Sequence, residues 1–209
     1  MTYATPDTGQ TDRRAGRPRD PRVQRAILDA ARELLAERGV GGLTVEAVAA
    51  RAGVGKPTVY RRYRSSTELA LAVLIEMVKE TPPADLGDTR KELLAFVTGA
   101  INVIHSTLMG PIVQGLVPEL AANPELAVAF RERVLSARAS AVRQLVEQAA
   151  ARGDLPANTD PELVRELLLS PIYFRLLLTG EPLDRKLATR IVDTTLAALA
   201  APRNLKENP

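Results

Sequence analysis

The stretch Leu43 to Tyr63, LTVEAVAARAGVGKPTVYRRY, narrows the possible folds more than any other part of the chain. It predicts two short helices joined by a tight turn. Thr44 suits an N-cap, because its hydroxyl accepts a backbone N–H that has no partner in the first helical turn. Val45, Val48 and Ala49 then mark one apolar face at helical spacing. Gly53 stands where the chain must reverse and a side chain at positive φ would be strained. Lys56 and Pro57 open the second helix, where proline's missing N–H costs nothing. Val59 and Tyr63 face back toward the first helix, and small Ala49 allows a close crossing. Thr58, Arg61 and Arg62 are left outward, with Tyr60 near the boundary. This spacing is a helix-turn-helix, a unit whose second helix fits the major groove of DNA.

The flanking residues extend the pattern. Asp20-Pro21 caps a helix with Val23, Ile27, Ala30, Ala31, Leu34 and Leu35 on one stripe, stopped by Gly39. Ser65-Ser66-Thr67-Glu68 fits a capping box that opens a fourth helix running to about Lys79, before Thr81-Pro82-Pro83. Together, AARELLAERGVGGLTVEAVAARAGVGKPTVYRRYRSSTELA resembles the N-terminal DNA-binding domain of TetR-type transcriptional regulators, over about Pro21 to Thr81. The resemblance implies an all-α protein with two parts. One is an N-terminal helix-turn-helix domain (21–81, motif 44–63), preceded by a basic arm (1–20). The other is a C-terminal helical domain (82–209) that senses a ligand and dimerises through the last two helices, about 160–200. Ser66 stands where the family usually carries a phosphate-contacting lysine.

Charge follows the same division. Residues 11–64 carry 13 Lys+Arg against 6 Asp+Glu, whereas 81–209 carry 14 against 15. A basic excess confined to the motif and its arm is the footprint of a phosphate-binding surface. Within the arm, Gly16-Arg17-Pro18 is similar to the centre of an AT-hook, with Ala15 in place of that motif's first arginine. The expected partner is double-stranded DNA, bound as a near-palindromic operator by a homodimer. The expected contact residues are Arg17, Thr44, Lys56, Pro57, Thr58, Tyr60, Arg61, Arg62, Tyr63 and Ser66. Thr58 and Arg61 are assigned to base edges; Lys56, Tyr60, Thr44 and Arg62 are assigned to phosphates.

Beyond the fourth helix, five more are expected: about Asp88–His105, Ile112–Ala121, Asn123 to Gly153, Asp160–Thr179 and Leu183–Ala200. The long one is expected to turn Leu126, Phe130, Val134, Ala137, Ala141 and Leu145 inward. Pro171 lies inside the next, frees the carbonyl of Leu167 and predicts a kink. The last two helices are apolar nearly all round, which favours burial against a second subunit. The polar strip Thr98, Asn102 and His105, at i, i+4 and i+7, suggests a site for a small hydrophobic effector, with Phe96, Ile101, Leu116, Phe130, Val134, Tyr173 and Phe174 as candidate lining residues.

Catalytic patterns are missing. A single histidine forms no two-histidine metal set, and no nucleophile elbow or phosphate loop occurs. Neither an enzyme nor a cofactor is expected. The chain lacks cysteine, which suits the cytoplasm. Its N-terminus has no apolar signal region, and no apolar run approaches the ~20 residues of a membrane helix. Two other classes fit the same residues: an architectural DNA-binding protein with little sequence preference, and a small-molecule-binding module with a vestigial helix-turn-helix.

Overall fold

The computed structural model describes residues 20–78, 83 and 85–200. Arg17 and the basic arm therefore lie outside the described residues, as does the expected end of the fourth helix. The described residues form nine helices and no strand. They are α1 (Pro21–Arg38), α2 (Val45–Arg51), α3 (Lys56–Tyr60), α4 (Ser66–Met77), α5 (Thr89–Ser106), α6 (Met109–Ala122), α7 (124–152), α8 (161–179) and α9 (Arg185–Ala200). A 3₁₀ turn, Val40–Gly42, joins α1 to α2.

Short polar side chains start most of these helices, as their positions predict. Thr44 Oγ1 accepts from Ala47 N–H at 3.1 Å, and Ser65 Oγ from Glu68 N–H at 3.1 Å. Asp88, Asn123 and Asp160 cap α5, α7 and α8 in the same way. The capping box differs from its usual form. The Glu68 carboxylate accepts from Arg64 N–H at 2.7 Å, one residue before the cap.

Two helices depart from the expected outline. α6 begins at Met109, so Gly110 and Pro111 lie inside its first turn instead of preceding it. A first-turn N–H has no intrahelical partner, so Pro111 costs the helix nothing there. Gly110 is needed because α5 and α6 meet at 88°. A Cβ at Gly110 would sit 2.9 Å from the Ile104 carbonyl oxygen. In α7, the segment Arg131–Leu135 is π-helical. The extra residue in that turn rotates the inward stripe. Leu126 and Phe130 are buried before it, Val134 within it, and Val142, Leu145, Val146 and Ala149 after it. Ala137 and Ala141 are only half-buried. A straight helix would have kept them on the stripe; after the π turn the fully buried positions resume at Val142.

α8 runs through Pro171 and turns π-helical at Arg175–Thr179, ending at Gly180 with φ 66°. Gln114 Nε2 of α6 donates to the Leu176 carbonyl there at 2.8 Å, tying the two helices together.

Two apolar clusters hold the molecule. The first joins α1–α4 to α6 and the start of α7, with Ile27, Leu34, Val48, Leu69, Leu74, Ile112, Leu116 and Phe130 at its centre. The second joins α5, the later part of α7, α8 and α9 around Leu93, Val97, Leu145, Leu168 and Val192. Tyr173 and Leu176 touch both clusters. Gly115 of α6 meets the Val40 side chain so closely that a Cβ there would lie 2.8 Å from it. The 3₁₀ turn that feeds the helix-turn-helix thus rests directly on α6.

Candidate nucleic-acid interface and internal cavity

The helix-turn-helix is built from contacts close in sequence. Gly53 has φ 66°, and the Val54 N–H returns to the Ala49 carbonyl at 3.0 Å, closing α2. Val48, Ala49 and Val59 are buried between α2 and α3. Arg51 clasps Glu37 with two hydrogen bonds, at 2.6 and 2.8 Å, fixing α2 against α1. The hydrogen bond from Arg51 holds the Glu37 carboxyl below the usual glutamate range.

Thr44, Lys56, Pro57, Tyr60 and Arg61 are exposed, and Thr58 is half-buried. Lys56 Nζ lies 3.5 Å from Glu46 Oε1, and the Tyr60 hydroxyl donates to the same oxygen at 3.5 Å. Glu46's own backbone N–H, then Lys56, hold this carboxyl low. Glu46 thereby holds the Lys56 and Tyr60 side chains side by side at the edge of α3. Arg61 is exposed, and no ion pair with another described residue holds it. Ser66 opens α4 half-buried.

Two expected contact residues are turned elsewhere. Tyr63 is 8% exposed, with its ring in the first cluster and its hydroxyl accepting from Gln24 Nε2 at 2.6 Å. Burial and the nearby Glu76 charge push this phenol's pKa up. Arg62 is half-buried and folds back on its helix, Nη1 donating to the Thr58 carbonyl at 3.3 Å. Its Nε is buried with no acceptor among the described residues.

A cavity of about 440 Å³ lies between the end of α4, α5, the start of α6 and α7. Met77 and Val78 close it on the α4 side and Met109 on the α6 side. α5 contributes Glu92, Ala95, Phe96, Gly99, Ala100 and Val103; α7 contributes Ala137, Arg138 and Ala141. Of the candidate lining residues, Phe96 stands on this wall. Leu116, Phe130 and Val134 are packed in the first cluster, and Ile101 in the second. Tyr173 is half-buried between the clusters, and Phe174 is 56% exposed. Asn102 and His105 are exposed and Thr98 is half-buried, and none of the three lines the cavity. The signal that marks the real wall is the pairing of small residues four apart, Ala95 with Gly99 and Ala137 with Ala141, on facing helices.

Glu92, at one end of the cavity, is 2% exposed and heavily bonded. Arg152 Nη2 reaches its carboxylate at 2.6 Å, and the Leu86 N–H at 2.9 Å. Arg152 also binds Thr89 and Asp154. Burial raises the Glu92 pKa, but the Arg152 and backbone bonds outweigh it and hold the group ionised below its usual range. Among the described residues, no cluster of His, Asp or Glu could hold a metal ion. No single described helix is long and apolar enough to cross a membrane.

Residues 27–73 match the family model for bacterial regulatory proteins of the tetR family, and residues 83–195 match that for the tetracyclin repressor-like C-terminal domain. The chain belongs to the TetR family. It is a helix-turn-helix, DNA-binding transcriptional regulator, in a family of regulators and not of enzymes. Among its relatives, it is 30% identical to the uncharacterised HTH-type transcriptional regulator YdeS of Bacillus subtilis, over 81% of this chain and 85% of that one. It is 27% identical to the DNA-binding transcriptional repressor TetR of Mycobacteroides abscessus, over 85% and 93%. The crystal structure of the TetR family regulator SCO0332 superposes with a TM-score of 0.72 at 29% identity, covering 86% of this chain and 99% of that one.

Proposed function

We propose that this protein is a homodimeric cytoplasmic repressor, released from a near-palindromic operator when a small, largely apolar ligand fills the cavity beside α4. The observation that carries the reading is the shared position of α4. Leu69, Val73 and Leu74 are buried in the cluster that holds α1–α3, and Met77, at the end of the same helix, lines the cavity. A ligand that favours one seat of Met77 over another shifts the pose of the helix-turn-helix, and linkage then requires it to change DNA affinity. Residues 21–81 bind DNA and 82–209 sense and dimerise.

On DNA, Arg61 and Thr58 read base edges, while Lys56, Tyr60 and Thr44 grip phosphate. Arg62, Tyr63 and Pro57 shape α3, and Arg17 reaches the minor groove. Dimerisation runs through α8 and α9; Leu163, Phe174 and Leu178 of α8 are large apolar side chains left exposed in the single chain. Paired substitutions test the interface. Arg61→Ala relaxes sequence preference, whereas Lys56→Ala weakens cognate and random DNA alike and lowers the salt slope by about one unit. Equal losses on both DNAs from Arg61→Ala refute the assignment.

A further inference from the structure

We propose that the cavity takes an amphipathic organic carboxylate carrying one negative charge, with the Arg138 guanidinium as its anchor. The inference rests on the effector reading above and gives that ligand a chemical class. Arg138 lines a cavity whose other walls are mostly methyl, methylene and aromatic groups. The described residues place no carboxylate within ion-pair distance of it. Among the described residues its one hydrogen bond runs from Nη2 to Met109 Sδ at 3.4 Å, and a thioether is a weak acceptor. A half-buried guanidinium with so poor a partner is unusual, because cations taken from water are normally paired.

The π-helical turn of α7 makes the placement specific. The turn at Arg131–Leu135 adds a residue just before this wall, and α7 then presents Arg138 to the cavity together with Ala137 and Ala141. π turns are concentrated at functional sites, and here the turn aims a fork of donors into an apolar chamber.

Charge bookkeeping fixes the number of negative charges. Glu92 lines the same cavity but is already neutralised by Arg152 at 2.6 Å. Among the described residues, one cation is left over. A carboxylate matches it through two parallel hydrogen bonds. A dianionic phosphate would leave a negative charge uncompensated in a mostly apolar space, and an organic cation would meet Arg138 head-on.

The test is calorimetric titration of the full-length protein at neutral pH with three probes of one chain length: decanoate, 1-decanol and decyltrimethylammonium. Wild-type protein is expected to bind decanoate about 10- to 100-fold more tightly than decanol, the worth of a charge-assisted pair, and to reject the ammonium. Arg138→Gln should abolish the preference and leave decanol binding unchanged. Arg138→Lys, a point charge without the fork, should keep part of it. Circular dichroism and the unfolding midpoint establish that both variants are folded. Decanol binding as tightly as decanoate, a preference that survives Arg138→Gln, or no binding by any probe would each overturn the proposal. Operator affinity measured with each probe separates the two claims. Decanol binding equally and releasing DNA sinks the carboxylate class alone. An Arg138-dependent preference with no change in operator affinity upholds the carboxylate site and sinks the effector reading.

Discussion

Gly115→Ala puts the contact between α6 and the helix-turn-helix to a quantitative test. Alanine is the better helix former by about 0.5–1 kcal/mol, so a helical glycine with free space around it should gain stability on substitution. Gly115 has no such space. A Cβ there would lie 2.8 Å from Cβ, Cγ1 and Cγ2 of Val40 alike. Carbon atoms pack at about 3.5–4.0 Å, so the 3₁₀ turn must retreat by roughly 1 Å. Overpacking of that kind costs about 1–3 kcal/mol. Subtracting the helix gain leaves a net loss of about 0.5–2 kcal/mol. Val40→Ala removes two of the three close atoms and alone costs about 1 kcal/mol, since Val40 is half-buried. In the double variant part of the clash disappears, so the two changes should couple by about 1 kcal/mol in the stabilising direction. Urea unfolding followed by far-UV circular dichroism measures all four corners of this cycle. Gly115→Ala more stable than wild type, or a cycle additive within about 0.5 kcal/mol, would refute the close contact.

Three further outcomes follow from named contacts. Glu92→Gln breaks a buried ion pair and should cost about 2–4 kcal/mol at neutral pH. The folded Glu92 pKa lies below its ordinary 4.5, so its contribution is complete above that pH and is lost as pH falls through the folded value; the gap between wild type and variant should stay constant above pH 4.5 and narrow below it in acid unfolding curves. Thr44→Ala should lose the cap on α2 and cost about 1 kcal/mol of stability, with Thr44→Ser recovering most of it in the same urea assay. Leu178 is 74% exposed and Phe174 56% exposed, so Leu178→Glu with Phe174→Ser should weaken a dimer on this face by at least about 100-fold, read by sedimentation equilibrium; an unchanged monomer–dimer constant would move the interface elsewhere.

Features governed by near neighbours in the chain could be read from residues alone. Thr44, Ser65, Asp88, Asn123 and Asp160 each cap the helix they precede, because a cap needs only its own first turn. Gly53, Gly153 and Gly180 take positive φ where chain reversal demands it. Features that depend on packing at a distance were hidden. The π turn in α7 is invisible to a 3.6-residue period, and after it Arg138 joins Ala137 and Ala141 on the cavity wall. The cavity owes its space to small residues four apart on facing helices, Ala95 with Gly99 and Ala137 with Ala141, a pattern that acquires meaning only once those helices are placed together. Asn102 and His105 share a helical strip, but periodicity does not tell which side of α5 meets a neighbour. Arg62 and Tyr63 follow Arg61 directly, yet they turn inward to Thr58 and Gln24 while Arg61 stays in solvent.

Sequence-specific recognition of DNA through α3 can be tested by capture of sheared genomic DNA on the full-length protein. At about 0.15 M salt, nonspecific phosphate attraction is already weakened, so retention reports base-edge reading. Sequencing of the retained fragments should return a few strongly enriched near-palindromic sites, and the Arg61→Ala protein should lose that enrichment. Uniform recovery across the genome by the wild-type protein would contradict the account.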